Sequence, residues 1–72
     1  MNKKSTTITI SSECITLGQF LKFADVIQTG GEAKPFLASN KVLINGVEDN
    51  RRGRKLRSGD EVVIKEVVYL IK

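Results

Sequence analysis

The spacing of hydrophobic residues divides the chain into segments with different periods. Residues 5–10 alternate between polar and β-branched side chains, which is typical of a strand with one buried face. From Thr16 onward the apolar residues recur every three or four positions, which places them on one face of a helix. These apolar residues are Leu17, Phe20, Leu21 and Ala24.

This first helix is predicted to begin near Thr16. Thr16 and Gln19 have the spacing of a capping box, in which each side chain accepts a hydrogen bond from a backbone N–H of the other residue. The Gly30-Gly31 pair bounds the segment, so we expect the helix to end around Val26 to Gln28.

A second, short helix is predicted from Glu32 to about Asn40, with Ala33, Phe36 and Leu37 on one face. Proline inside a helix removes a hydrogen bond and clashes with the preceding turn. Because Pro35 must therefore lie near the helix start, we expect Gly31 to be the N-cap.

The rest of the chain predicts strands joined by tight turns. Val42-Leu43-Ile44, Asn45-Gly46 and Val47 have the pattern of a β-hairpin, since Asn-Gly favours the two-residue turn that joins antiparallel strands. Ser58-Gly59-Asp60 marks another turn, and residues 61–71 resemble a strand throughout. The pattern leaves open whether this last segment is one strand or two strands broken near Lys65-Glu66.

The order of these elements is β-α-α-β-β-β. It predicts an α+β fold in which two short helices pack on a small, mostly antiparallel sheet. We expect the first strand to pair with the C-terminal segment, and we expect a single domain over residues 1–72. A domain of this size buries one thin core, which suits a binding protein better than an enzyme with a deep cavity.

The composition excludes most catalytic chemistry. The chain has no His, which most often transfers protons near neutral pH, and one Cys, Cys14, which excludes a zinc site built from several cysteines. We expect no enzymatic activity, no metal and no cofactor, and we expect Cys14 to be a buried thiol. No apolar run approaches the ~20 residues of a membrane span. The residues after Met1 do not resemble a signal peptide, so a cytoplasmic protein is expected.

The net charge of +4 is concentrated in one part of the chain. Residues 41–59 hold six basic and two acidic residues, whereas the other positions balance six against six. Five of the cations, four of them Arg, fall in the seven positions Arg51–Arg57, which we call the basic loop. Because a guanidinium is always charged and binds phosphate through two donors, the loop is a candidate polyanion site anchored by Leu56. The alternative is a solvated loop that only promotes solubility.

A second candidate site lies at Thr29-Gly30-Gly31-Glu32. Backbone N–H groups at a helix start, together with the positive end of the helix dipole, favour an anion such as phosphate. Lys34 and Lys41 would share one side of helix two or its exit, and that side could continue the basic loop. The alternative is that the glycines only turn the chain between the helices.

The aromatic residues are predicted to pack in the core. Phe20, Phe23 and Phe36 have helical core spacing, and Tyr69 lies in a strand. Without an exposed ring, stacking on single-stranded bases is disfavoured, and recognition of the backbone and shape of a structured nucleic acid is favoured.

The order and spacing of these motifs resemble a known family. After two short helices come residues 41–47, the basic loop and the Ser58-Gly59-Asp60-Glu61-Val62 segment. Over about residues 15–65 the chain is similar to the RNA-binding domain named after ribosomal protein S-four, also called the alpha-L motif. It looks most like the small stand-alone bacterial members of that family. The resemblance implies that structured RNA is held by the helix pair, chiefly the start of helix two, and by the basic loop.

Carried over by position, the resemblance implies seven RNA-binding residues: Gly31, Lys34, Lys41, Arg51, Arg52, Arg54 and Lys55. The chain departs from many members at the start of both helices. Thr16-Leu17-Gly18 stands where an Arg and an Asp are common, and Gly30-Gly31 stands where Ser-Arg is common. Backbone N–H groups would replace the side-chain phosphate contacts at the second position.

We therefore expect a monomeric, non-catalytic protein that binds structured RNA, namely ribosomal RNA or a ribosomal subunit, with no membrane or small-molecule partner. The alternative is a β-grasp-like adaptor that docks an acidic protein, because residues 42–46 and 58–64 also fit that fold. A β-grasp sulfur carrier is disfavoured, since such carriers end in Gly-Gly and this sequence ends Leu70-Ile71-Lys72.

Overall fold

The computed structural model describes residues 4–72. The described residues form seven strands, two α-helices and one 3-10 turn: β1 (Lys4–Ile8), β2 (Cys14–Thr16), α1 (Leu17–Phe23), the 3-10 turn (Gly30–Glu32), α2 (Ala33–Ser39), β3 (Val42–Ile44), β4 (Val47–Glu48), β5 (Lys55–Arg57), β6 (Glu61–Ile64) and β7 (Val67–Ile71). The expectation about a signal peptide concerns in part Met1–Lys3, which lie outside the described residues.

Five strands form one sheet in the order β1-β7-β6-β3-β4, and β2 pairs with β5 in a separate two-stranded ribbon. Within residues 4–72 every strand pair is antiparallel except β1 with β7. These two strands run parallel, with Lys4 opposite Val67 and Ile8 opposite Ile71. The α+β class is confirmed, and the first strand does pair with the C-terminal segment. This strand covers residues 4–8 rather than the predicted 5–10.

Helix α1 begins as its sequence predicts and ends earlier. The Thr16 hydroxyl accepts from the Gln19 N–H and the Gln19 side chain accepts from the Thr16 N–H, which completes the capping box. The helix ends at Phe23 instead of Val26 to Gln28 because Asp25 adopts a left-handed conformation with φ of 60°. The N–H of Val26 then bonds the carbonyl of Leu21 at 2.9 Å, which closes the helix end in a Schellman motif.

Helix α2 is short, as its proline requires. The 3-10 turn precedes it, and Pro35 is the third residue of the α-helix, a position where a backbone N–H has no carbonyl partner inside the helix. At the other end, the Asn40 side chain donates to the Phe36 carbonyl at 3.0 Å. The helix therefore covers Ala33–Ser39, one residue less at each end than predicted.

The hairpins show whether residues 61–71 form one strand or two, which the sequence pattern leaves open. Asn45 and Gly46 both have positive φ and join β3 to β4 in the predicted two-residue turn. Lys65 and Glu66 also have positive φ, of 50° and 69°, and join β6 to β7. The segment from residue 61 to 71 is therefore two strands. The three-residue strands β2 and β5 are too short to show a period in the sequence, and they were not predicted.

The core lies between the helices and one face of the sheet. Leu17, Phe20 and Leu21 of α1 are fully buried, and Leu56 anchors the basic loop there as expected. Phe20 meets the ring of Tyr69 edge-on, with ring centroids 5.2 Å apart. No helix within residues 4–72 is long and apolar enough to cross a membrane.

Two side chains expected in the core lie elsewhere. Phe23 is 65% exposed, because it falls outside the arc of α1 on which Leu17, Phe20 and Leu21 face the sheet. Cys14 is only half-buried, since the strand period turns its neighbour Ile15 into the core instead. The predictions that Phe23 packs in the core and that Cys14 is fully buried were wrong.

Candidate nucleic-acid interface

The backbone of the basic loop is attached to the start of α1. The first N–H groups of a helix have no partner inside the helix. Here the N–H of Leu17 donates to the Arg54 carbonyl at 2.7 Å, and the N–H of Gly18 donates to the Arg52 carbonyl at 2.9 Å. Within the loop, the N–H of Arg54 donates to the Arg51 carbonyl at 3.0 Å. These bonds give the loop a defined path across the helix.

Gly18 brings the basic loop together with the start of α2. A Cβ atom at this position would lie 3.5 Å from the Arg52 carbonyl oxygen, 3.6 Å from the Arg52 Cβ and 3.7 Å from the Ala33 Cβ. Arg52 and the first residue of α2, Ala33, are therefore both packed close to Gly18. This contact places the basic loop beside helix two, as the charge pattern suggests.

Asp49 orients two arginines of the basic loop. Its carboxylate accepts from the Arg51 guanidinium through both oxygens, at 3.1 and 2.9 Å, and from the Arg54 guanidinium at 3.2 Å. It also accepts from the Arg51 backbone N–H at 2.9 Å, which closes an Asx turn. The Asp49 side chain is only 9% exposed, whereas that of Arg51 is 71% exposed. The shielded Asp49 carboxylate thus fixes the position of the solvent-exposed Arg51 guanidinium.

These contacts shift the acid–base properties of the cluster. Hydrogen bonds from the Arg51 side chain and backbone hold the pKa of Asp49 far below its ordinary value, with a further contribution from Arg54. The same side-chain hydrogen bond and the charge of Asp49 raise the pKa of Arg51. Asp49 and Arg51 are therefore both charged at neutral pH.

The other three cations of the basic loop have no acidic partner. Among the side chains that the structure describes, Arg52, Lys55 and Arg57 are exposed and form no ion pair. Lys55 and Arg57 lie on β5 on either side of the buried Leu56, so the alternation of the strand turns both outward. These three residues carry most of the uncompensated positive charge of the loop, since Asp49 offsets only one of the two charges of Arg51 and Arg54.

Comparison with known proteins assigns the chain to a family. Residues 8–72 match the sequence profile of the S4 domain. The chain belongs to the S4 domain family. It is also 64% identical, over 58 residues, to the Bacillus subtilis (strain 168) protein named "Probable ribosome maturation protein RlbA", and the match covers 81% of this chain and 82% of that relative. The resemblance inferred from the motifs is thereby confirmed.

The seven residues predicted from the sequence to bind RNA lie in two groups in the structure. Arg51, Arg52, Arg54 and Lys55 form one continuous surface with α1, as described above. Lys41 is exposed next to Val42, whose carbonyl accepts from the Asp49 N–H at 3.0 Å, so it adjoins that group. Gly31 and Lys34 are exposed at the start of α2, close in sequence to Ala33, which packs near Gly18. Their contact with RNA remains a prediction.

The Glu32 carboxylate accepts hydrogen bonds from the backbone N–H groups just before the Gly30-Gly31 pair. Glu32 Oε1 accepts from the backbone N–H groups of Gln28 at 3.0 Å and Thr29 at 2.9 Å, and from the Thr29 hydroxyl at 3.3 Å. These hydrogen bonds, first that from Thr29 and then that from Gln28, lower the pKa of Glu32. The geometry supports the alternative in which this segment turns the chain, and α2 has only seven residues.

Three residues of this surface were not in the predicted set. Asp49 is detectable in the sequence as an Asx-turn residue two positions before Arg51, but its second partner, Arg54, is set by the loop path. Arg57 belongs to the predicted basic loop, but strand β5, whose alternation turns it outward, was not predicted. Gly18 gives no local signal, because its role depends on a contact between distant segments.

Proposed function

We propose that this S4 domain is a non-catalytic protein that binds structured ribosomal RNA during ribosome maturation. The observation that carries the proposal is the exposed charge of Arg52, Lys55 and Arg57, which form no ion pair with the side chains that the structure describes. They lie on a loop whose backbone is held by α1 and by Asp49. The name of the relative from Bacillus subtilis supports the ribosomal context.

The proposed binding relies on cations that are already in place. A guanidinium donates to two phosphate oxygens at once, and it binds more tightly when little side-chain freedom is lost on binding. The bidentate contact with Asp49 restricts Arg51 before any RNA arrives. Arg52 and Lys55 present further charge along the same loop. We propose that these residues, together with Arg54, Arg57, Lys41, Lys34 and Gly31, contact RNA phosphates as one surface.

The first test measures affinity for protein-free bacterial rRNA as a function of salt. If about five phosphates are neutralised, the logarithm of the association constant falls with the logarithm of salt concentration with a slope of about −3.5 to −4.5. Affinity would then fall roughly a hundredfold or more between about 50 and 200 mM salt. A flat salt response would overturn the proposal.

The second test separates local charge from total charge. Arg52→Gln and Lys72→Gln each reduce the net charge from +4 to +3. Both residues are exposed, and the Arg52 carbonyl that accepts from Gly18 is kept in the variant. We expect Arg52→Gln to weaken rRNA binding and to reduce the magnitude of the salt slope by about 1. We expect Lys72→Gln to behave like the unaltered protein. Equal effects of the two substitutions would show that the basic loop is only a solvated surface.

A further inference from the structure

Phe23 stands out among the side chains of α1 because it has no core to pack against. It is the last residue of the helix and is 65% exposed. Exposed aromatic rings on nucleic-acid-binding proteins serve as stacking surfaces, since every base has a flat π face. The exposure of this ring on a helix of an S4 domain therefore calls for a functional explanation.

The ring lies between two neighbouring grooves. One, of about 480 Å³, is lined by Phe23 and Gln19 together with Cys14, Ile15 and the hydroxyl-rich segment at residues 9–12. The other, of about 250 Å³, is lined by Gln19, Lys22 and Phe23. Among the described residues that line these grooves there is no carboxylate. The walls of the grooves are apolar as well as polar, and Lys22 is the only charged side chain among the described residues that line them.

The exposed face of α1 connects Phe23 with the basic loop. Residues four apart lie one above the other on a helix, so Lys22 follows Gly18 and Phe23 follows Gln19. Gly18 is in contact with Arg52. A strip of surface therefore runs from Arg52 over Gly18 to Lys22, with Gln19 and Phe23 beside it.

We propose that Phe23 is a stacking platform for an unpaired base of the RNA. The base would lie on the Phe23 ring, the hydroxyl and amide groups of the larger groove would face its polar edge, and Lys22 would meet the adjoining phosphate. A nucleobase combines a flat apolar face with polar edges, which matches one exposed ring beside the hydroxyl groups of residues 9–12 and the Gln19 amide. An apolar protein partner would instead require several clustered, exposed hydrophobic side chains. Ile15 in the groove wall is buried, and Phe23 is the one strongly exposed large apolar side chain among the described residues that line the grooves. The inference deepens the proposed function and rests on it.

The first experiment compares Phe23→Leu with Phe23→Tyr. Leu keeps an apolar side chain and removes the aromatic face, whereas Tyr keeps the face. We expect Phe23→Leu to weaken binding to protein-free bacterial rRNA by roughly fivefold to a hundredfold, and Phe23→Tyr to bind as the unaltered protein does. Because stacking releases no counterions, the salt slope stays the same. A poly(A)·poly(U) duplex, which offers no unpaired base, should bind both variants equally.

The second experiment uses tryptophan as a reporter. The chain has no Trp, so Phe23→Trp creates a single fluorophore. Leu70→Trp is the matched control, because Tyr69 and Ile71 face the helices and Leu70 therefore points to the other face of the sheet. We expect rRNA to quench the fluorescence of Phe23→Trp and to leave that of Leu70→Trp unchanged. Thermal melts of each variant verify that the fold is intact.

The outcomes separate this inference from the proposed function. If the unaltered protein does not bind rRNA, the proposed function fails. If it binds with a steep salt slope while Phe23→Leu binds equally well and Phe23→Trp is not quenched, only the stacking platform is wrong. A Phe23→Leu penalty that is equally large on the duplex would also overturn it. Quenching of Phe23→Trp by an added ribosomal protein and not by rRNA would assign the ring to a protein contact.

Discussion

At the scale of single residues, Asp49 determines the conformation of the basic loop. It is acidic in a segment otherwise dominated by cations, and it lowers the local positive charge. Its carboxylate nevertheless makes four hydrogen bonds to Arg51 and Arg54. Asp49 therefore weakens the electrostatic attraction of the loop to RNA, but it fixes the arrangement of the two guanidinium groups.

We expect Asp49→Asn to lower the free energy of unfolding at pH 7 by about 1 to 2 kcal/mol, because hydrogen bonds to charged groups are lost from a shielded position. Urea denaturation measures the change. Glu48→Gln is the control, since Glu48 is exposed and the substitution removes the same charge from the adjacent residue. If both variants were destabilised equally, total charge rather than the Asp49 contacts would be responsible.

The stability difference between the unaltered protein and Asp49→Asn should depend on pH. Folding lowers the pKa of Asp49, so its contribution is fully present above the ordinary Asp pKa of about 3.9. It is lost as the pH falls through the lower pKa of the folded state. Denaturation curves at several pH values should therefore converge below about pH 4. A constant difference down to strongly acidic pH would contradict the role given to the carboxylate.

At the scale of elements, two hairpins share one turn geometry with different sequences. The β3–β4 turn uses Asn45-Gly46, which adopts positive φ with little strain. The β6–β7 turn places Lys65 and Glu66 in the same region, where a side chain costs roughly 1 kcal/mol or more. Lys65 has a compensating contact, since its ammonium lies 5.7 Å from the centre of the Phe36 ring. The Glu66 side chain makes no hydrogen bond or ion pair within residues 4–72.

We expect Glu66→Gly to raise the free energy of unfolding by about 0.5 to 1 kcal/mol, because the gain from relieved strain exceeds the added freedom of the unfolded chain. The reciprocal substitution Gly46→Glu, at φ of 85°, should be destabilising. Thermal or urea denaturation measures both. A loss of stability in Glu66→Gly would show that the Glu66 side chain makes a contribution larger than its backbone strain.

At the scale of the whole molecule, Gly18 is the point where three distant segments meet. Helix α1, the basic loop and the start of α2 approach one another there within ordinary van der Waals distances. A methyl group would fit there in ordinary van der Waals contact with Arg52 and Ala33. The position therefore sets the spacing between the two parts of the proposed RNA surface.

Two substitutions at Gly18 should have opposite effects. Gly18→Ala fits the available space and should stabilise the protein by about 0.4 to 1 kcal/mol, because it reduces the freedom of the unfolded chain. Gly18→Leu should destabilise it by about 1 to 3 kcal/mol and weaken rRNA binding, because it pushes Arg52 away from Ala33. Denaturation and rRNA titration measure the two effects. Tight rRNA binding by a folded Gly18→Leu variant would show that the spacing is unimportant.

Much of the fold follows from local patterns. The capping box at Thr16 and Gln19, the Asn45-Gly46 turn and the limit that Pro35 places on α2 each involve residues close in sequence, so their physical signals are present before folding. The earlier end of α1 was not predicted. Asp25 is a less common left-handed residue than glycine, and the Val26 and Leu21 contact that closes the helix depends on burial.

The sequence alone was enough to predict the family, the concentration of positive charge in the basic loop, and the order of elements apart from β2 and β5, because periodicity, turn chemistry and charge are properties of neighbouring residues. Which cations are paired, that Phe23 is exposed, and that Gly18 packs close to both Arg52 and Ala33 became known only from the folded structure. These facts depend on how segments far apart in sequence pack together. The position of a charge can be read from the chain, but its availability for a phosphate depends on the neighbours that folding provides.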